Sequence, residues 1–157
     1  MAIIVPAKLK LTHKVIKNVA KPVTFEDPRP LMRLATMMHE FMDRSDAIGL
    51  AAPQVGLSRR LFVINVNGIR RTCFNPEYQD ATTDQLFECQ EGCLSFPDEY
   101  VLTHRPRKIW ARYQDIHGEW HEEELEELAA VCYQHELDHL DGITMYDRAT
   151  SKNSSSL

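Results

Sequence analysis

Residues 134–139 read Gln-His-Glu-Leu-Asp-His. His135 and His139 are four positions apart, so on a helix both imidazoles point from one face and can bind the same metal ion. Glu136 follows the first histidine, where a carboxylate can accept a proton from metal-bound water. The alternative interpretation is a solvated helix that happens to be rich in histidine.

The flanking sequence places the two histidines on an apolar stripe. Helical steps back from His139 pass through His135, Cys132, Leu128 and Leu125. Imidazoles on such a stripe face the core, where a bound metal would satisfy both of them. Gly142 is a typical residue just past a helix C-terminus, so the pattern predicts a helix over about 123–141. Its opposite, solvated face is predicted to carry Glu123, Glu126, Glu127 and Asp138.

The composition is that of an ordinary globular chain. With 157 residues, 43% hydrophobic and 26% charged, we predict one domain over 1–149 and a polar, disordered tail over 150–157. No apolar run is long enough for a membrane span or a signal peptide, so cytoplasm is the expected location and no membrane partner is expected. The net charge of −5 and the lack of a basic block argue against nucleic acid as a partner. Four cysteines without a Cys-x-x-Cys pair indicate free thiols or metal ligands.

The remaining patterns predict an α+β fold with short antiparallel strands around the central metal-motif helix. Apolar residues at +3/+4 spacing predict a helix over about 29–44, opened by prolines in its first turn. Residues 61–66 read as a buried strand, and Asn67-Gly68 as a turn that returns the chain at 71–75. Further extended segments are predicted at 85–89, 101–102, 108–113 and 119–122.

A catalytic metal site of this kind needs a third protein ligand. The protease arrangements place it downstream of the helix, but the expected histidine position holds Met145 and no Glu occurs in 140–157. The ligand is therefore expected upstream. Cys93, in the tight segment Glu91–Ser95, is only modestly favoured over His104. The full set of upstream candidates is Cys93, Cys89, Cys73, His104, His117 and His121, the last two of which flank a predicted turn and read as surface residues.

Three segments together resemble one family. Residues 47–56 (Ala-Ile-Gly-Leu-Ala-Ala-Pro-Gln-Val-Gly), 91–95 (Glu-Gly-Cys-Leu-Ser) and 134–139 resemble, in order and spacing, the three motifs of the peptide deformylases. The resemblance extends over roughly 5–148. It implies that family's fold and its activity, a metal-dependent hydrolysis by metal-bound hydroxide. The family removes the N-formyl group from the initiator methionine of nascent polypeptides, so N-formyl-methionyl peptides are the expected partners.

The resemblance also assigns roles by position. It implies Cys93, His135 and His139 as metal ligands, Glu136 as general acid/base, and Gln54 with the backbone N–H of Leu94 as donors to the oxyanion. Taken alone, Gln54 is more often a loop-bonding residue than a catalytic one. The expected substrate-binding residues are Ile48, Gly49, Cys89, Leu128, Val131 and Cys132, and Glu91 and Arg105 form the expected supporting pair. The implied ion is one divalent metal, usually Fe²⁺, with Zn²⁺, Ni²⁺ or Co²⁺ as replacements.

Two departures from the family pattern stand out. Ala47 replaces the first glycine of the first motif, which would cost about 1 kcal/mol if that position needed positive φ and almost nothing otherwise. The sequence ends soon after Arg148 without a basic helix and so resembles the short forms, including virus-encoded ones. At most weak ribosome association is therefore expected.

Two competing interpretations are a small zinc endopeptidase and an inactive homologue that only binds peptide ends. The missing downstream ligand argues against the first. Glu136 and Gln54 argue against the second, because a purely structural metal site needs neither of them.

Overall fold

A computed structural model describes residues 3–81 and 85–150 of the chain. Its first regular element is a long helix, α1, at Pro28–Arg44. The Asp27 side chain accepts a hydrogen bond from the Arg29 N–H, and prolines occupy the first turn, where no intrahelical donor is needed. The helix buries Leu31, Leu34, Met38 and Met42. The predicted helix over 29–44 is confirmed.

Seven strands follow, all paired antiparallel. They are β1 (Gly49–Ala51), β2 (Leu61–Val66), β3 (Ile69–Asp80), β4 (Leu86–Cys93), β5 (Phe96–Pro106), β6 (Lys108–Gln114) and β7 (Trp120–Glu126). In the described residues they form a five-stranded sheet, in the order β1-β2-β3-β6-β7, and a separate β4-β5 hairpin. Two further helices, α2 (Glu127–Leu140) and α3 (Met145–Arg148), end the described chain. The α+β fold class is confirmed.

The strand β2 separates two parts of the core, because its side chains alternate between the two faces of the sheet. Phe62 and Ile64 pack with Tyr133 of α2, whereas Leu61 and Val63 pack in the cluster that contains the buried side chains of α1. The sheet is thus covered on both faces, which explains why 61–66 reads as a continuous apolar run. Asn67 and Gly68 both have positive φ (50° and 81°), as a tight hairpin turn requires.

The start of the metal-motif helix differs from the prediction. The helix α2 begins at Glu127, and residues 123–126 belong to β7, which pairs with β6. Glu127 itself has a φ of 52°, so the backbone turns sharply between strand and helix. Leu125 has the spacing of the helical stripe, but it is not part of the helix. It is buried as a residue of β7, because the edge of β6 provides backbone hydrogen-bond partners for residues 120–126.

The predicted solvated face of this helix is also wrong for Asp138, which is buried at 3% exposure. Every residue from Ala129 to Leu140 is buried, because α2 lies between the five-stranded sheet and the β4-β5 hairpin. Asp138 is accommodated there by ion pairs with Arg105 and Arg148. A buried carboxylate requires such partners.

Two of the remaining sequence predictions concern the ends of the chain. The predicted tail lies outside the described residues except for Thr150, whose N–H donates to the carbonyl of Leu102. The single domain over 1–149 stays a prediction. No helix in the described part of the chain is both long and apolar enough to cross a membrane.

Candidate active site

The side chains of Cys93, His135 and His139 meet at one point. Cys93 ends β4, and the two histidines lie one turn apart on α2 with their ring centroids 5.0 Å apart. Their ligand atoms all lie within 4.8 Å of one another, and Cys93 Sγ is 3.4 Å from His139 Nε2. Metal–sulfur and metal–nitrogen bonds of about 2.3 and 2.0–2.1 Å, at a tetrahedral angle, separate the two donors by about 3.5 Å. The three residues therefore fit a divalent metal ion.

The other upstream candidates lie elsewhere. His104 projects from β5 to the surface, where it pairs with Glu88 at 3.0 Å. Cys73 is buried in the core against α2, and Cys89 lines a neighbouring pocket. His117 and His121 lie on the exposed β6–β7 turn region, and His121 pairs with Asp115. Of the candidates that the sequence leaves open, the structure brings Cys93 to the two histidines.

A buried charged network holds the Nδ1 side of the His135 ring. Glu91 Oε1 lies 2.8 Å from His135 Nδ1, and Arg105 donates two hydrogen bonds to the Glu91 carboxylate, from Nε at 2.5 Å and from Nη2 at 3.0 Å. The Thr103 hydroxyl donates to the same carboxylate. Burial alone would raise the pKa of Glu91, but the bonds from His135 and Arg105 outweigh it and lower the pKa to about 2. The ionised Glu91 fixes the ring orientation of His135.

Glu136 lies beside this cluster as a buried carboxylate. Its Oε2 has no hydrogen-bond partner among the described residues, and burial raises the pKa of the group to about 7. A carboxyl group with this pKa can both accept and release a proton near neutral pH. The backbone of Gly49 lies directly against it, since a Cβ placed on Gly49 would be 2.5 Å from Glu136 Oε1.

Gln54 is held in one orientation at the other side of Cys93. Its Oε1 accepts a hydrogen bond from the Ala51 N–H at 2.9 Å, which fixes which end of the amide carries the donors. Its Nε2 then donates to Ser95 Oγ at 3.0 Å and lies 3.5 Å from Cys93 Sγ. The side chain is buried at 1% exposure within a short 3₁₀ helix at Ala52–Val55. Its donor group therefore points to the metal cluster rather than to its own loop.

A pocket of about 500 Å³ opens onto Glu136, His135 and Cys93. All six residues that the resemblance assigns to substrate binding line it, as does Leu94. One wall is held together by the Cys132 thiol, which donates to the carbonyl of Ile48 at 3.3 Å and links α2 to the segment before β1. The six residues from the resemblance that line the pocket are Ile48, Gly49, Cys89, Leu128, Val131 and Cys132.

Comparison with known proteins identifies the family. The family model for polypeptide deformylase matches residues 7–155. The chain belongs to the peptide deformylase family.

Individual deformylases agree along most of the chain. The peptide deformylase of Thermotoga neapolitana is 44% identical over 134 residues, which cover 85% of this chain and 80% of that protein. The crystal structure of the Thermotoga maritima peptide deformylase has a TM-score of 0.86 at 39% identity and covers 92% of this chain and 99% of that one. A Synechococcus elongatus peptide deformylase in complex with actinonin has a TM-score of 0.81 at 34% identity, with 97% and 87% coverage.

Deformylases are metal-dependent hydrolases that remove the N-formyl group from nascent polypeptides, so the family assignment favours this activity over an endopeptidase. The structure agrees, because Met145, at the downstream ligand position of the protease pattern, is a core residue with 1% exposure. The first departure from the deformylase motifs is also explained. Ala47 does not adopt positive φ, whereas its neighbour Asp46 does (52°), so the replacement of glycine causes no backbone strain.

Sequence reasoning missed several residues of the site. Ser95 fixes Gln54, and Thr103 bonds to Glu91. Asp138 was assigned to the solvated face, although its oxygens accept hydrogen bonds from Arg105 and Arg148. The one available signal was that Asp138 directly precedes His139 in the histidine-containing motif. Nothing in the spacing indicated Arg148.

Proposed function

We propose that Cys93, His135 and His139 hold one divalent metal ion, and that the chain uses it to hydrolyse the N-formyl group of formyl-methionyl peptides. The observation that carries this proposal is the arrangement of three ligand atoms within 4.8 Å beside a buried carboxylate, Glu136, that lines the pocket. When bound, the metal supplies Lewis acidity that activates a water molecule.

The residues around the metal position provide proton transfer and hydrogen bonds to the oxyanion. Glu136 accepts a proton from water at its carboxylate as the water oxygen bonds to the formyl carbon. It passes that proton to the amine nitrogen as the carbon–nitrogen bond breaks, which yields formate and a free N-terminus. Gln54 Nε2 and the Leu94 N–H are the proposed donors to the developing oxyanion, and one such donor contributes roughly 10²–10³ in rate.

The lining of the pocket supports the proposed preference for methionine. Its wall is formed by Ile48, Leu128, Val131 and the thiols of Cys89 and Cys132, a lining that suits an unbranched, polarisable thioether side chain. Gly49 presents backbone at the mouth, where a substrate main chain can approach closely. The pair Glu91 and Arg105 keeps the ligand His135 in place.

The deciding experiment measures formate release from formyl-Met-Ala-Ser by protein purified without oxygen. Glu136→Ala is expected to retain the metal and to lose activity by several orders of magnitude, because it removes the proton carrier alone. Cys93→Ala is expected to lose the metal. Actinonin, which the Synechococcus elongatus enzyme binds, is expected to inhibit. Normal turnover in Glu136→Ala, or a wild-type protein that holds metal without releasing formate, would contradict the proposal.

The identity of the metal and the cellular context are separate proposals. We propose Fe²⁺ as the native ion, because one thiolate and two imidazoles tolerate several divalent ions and the family usually holds iron. Faster loss of activity in air for the Fe²⁺ form than for the Ni²⁺ or Co²⁺ form would support it.

We also propose cytosolic action with at most weak ribosome binding. The net charge of −5 supports this, since ribosomal RNA repels a negatively charged protein. Salt-resistant co-sedimentation with empty ribosomes would contradict it.

A further inference from the structure

We propose that Arg148, in the short helix α3, is a positioning residue for the metal centre. It acts through Asp138 and Arg105 on the Glu91 carboxylate that orients His135. The inference rests on the proposed metal site and extends it to a residue nine positions beyond the metal-binding motif. Arg148 does not line the substrate pocket.

The contacts form one continuous chain. Arg148 donates to both oxygens of Asp138, from Nε to Oδ2 at 3.0 Å and from Nη2 to Oδ1 at 2.9 Å. Asp138 Oδ2 also accepts from Arg105 Nη1 at 2.9 Å. The other two donors of Arg105 hold Glu91, which lies against His135. A bidentate contact of this kind fixes both the distance and the relative orientation of the guanidinium and the carboxylate.

Charge balance explains why the second arginine matters. The side chains of Glu91, Arg105 and Asp138 are only 3–5% exposed, so two buried carboxylates share one buried guanidinium. Arg148, whose side chain is 45% exposed, adds the second positive charge from the protein surface. Buried charges are tolerated when each is paired, and removing one partner leaves another uncompensated. Arg148 thus makes the network neutral.

Loss of Arg148 would shift the Arg105 guanidinium from Glu91 toward Asp138. Asp138 would then keep only its bond to Arg105, and its unbalanced charge would draw that guanidinium away from Glu91. The bonds from Arg105 to Glu91 would lengthen, and the hold of Glu91 on His135 would weaken. The contacts from α3 to His135 therefore run through Asp138, Arg105 and Glu91. Arg105 is the side chain that both carboxylates share.

The position of Arg148 is itself fixed by the fold. Met145 of α3 is buried, and the Asp147 side chain accepts a hydrogen bond from the Thr144 N–H at the start of the helix. Just after α3, Ala149 forms an antiparallel bridge with Thr103 of β5. Thr103 is two residues from Arg105, so this docking holds Arg148 at the edge of the buried network.

The test compares Arg148→Met with wild type after loading with Co²⁺. Arg107→Met is the matched control, because Arg107 has nearly the same exposure (46%) and forms an ion pair with Glu127 that lies outside the network. Outer partners of metal ligands typically change metal affinity by 10–100-fold. Because three side chains, Asp138, Arg105 and Glu91, lie between Arg148 and His135, we expect the lower end, about 10-fold faster Co²⁺ release to a chelator. The visible Co²⁺ spectrum should shift and kcat should fall, with KM within about threefold of wild type.

Arg148→Lys keeps the charge but loses the two-pronged contact, so its Co²⁺ release is expected between that of wild type and Arg148→Met. It also provides the readout if Arg148→Met does not fold. Wild-type release and spectrum in both variants, even with a lowered Tm, would show a merely structural role and overturn the inference. A wild-type protein that binds no Co²⁺ would instead overturn the proposed metal site, and this inference with it.

Discussion

Gly49→Ala tests the close contact between the first motif and Glu136. The added Cβ would lie 2.5 Å from Glu136 Oε1 and 2.9 Å from its Cγ and Cδ, whereas ordinary van der Waals contact begins near 3.4 Å. The carboxylate must therefore move by about 0.9 Å. Gly49 does not have positive φ, so alanine fits its backbone without strain, and kcat at saturating substrate reports the clash with Glu136 rather than weaker substrate binding. A catalytic group displaced by about 1 Å can lose about 10²-fold in rate, equivalent to about 2.7 kcal/mol of activation free energy.

The assay is formate release under kcat conditions, together with metal content and Tm. Gly49→Ala should lower kcat about 100-fold while the metal content stays at the wild-type level. In a Glu136→Ala background, adding Gly49→Ala should lower kcat little further, because the substitution acts through Glu136. Gly68→Ala is the control, since its Cβ would meet nothing within 4 Å but its φ of 81° disfavours alanine. That variant should lose about 1 kcal/mol of stability and keep full activity. A kcat within threefold of wild type in Gly49→Ala would show that the close contact between Gly49 and Glu136 does not matter for turnover.

Three further predictions address other parts of the molecule. Gln54→Ala should lower kcat by roughly 10²–10³ with little loss of metal, because it removes a proposed oxyanion donor; equal falls in metal content and activity would point to a ligand-holding role instead. Glu123→Gln should lower the free energy of unfolding at pH 7 by about 1–3 kcal/mol, because it weakens the two-pronged bond from Arg71. Burial opposes the charged form of Glu123, but the hydrogen bonds from Arg71 and the Tyr113 hydroxyl outweigh it and lower the pKa below 4.5. The stabilisation is thus complete above pH 4.5 and is lost as pH falls through the folded pKa. Denaturant melts of the variant and wild type should converge as the pH falls below the folded pKa, and a gap that widens on acidification would contradict this. Ala47→Gly should change activity only slightly, since Ala47 already has an unstrained backbone; a hundredfold rise in turnover would show otherwise.

Elements with strong local signals could be predicted from the amino-acid sequence. The strand at 61–66 with its Asn67-Gly68 turn, and the helix from Pro28 to Arg44, were predicted within one residue at each end. Turn chemistry, capping and side-chain periodicity are properties of neighbours in the chain, so they can be read without knowing the fold. The spacing of His135 and His139 on one face of a helix is local in the same sense.

Tertiary structure decided what depends on distant neighbours. The sequence left Cys93 and His104 both open as the third ligand. The pairing of β4 with β5 placed Cys93 beside α2 and sent His104 to the surface. Residues 123–126 form a strand rather than a helix because their backbone pairs with the edge of β6. Asp138 became buried because Arg105 and Arg148, from two other elements, supply its counter-charges. A helical pattern records which side chains share a face, but not what packs against that face.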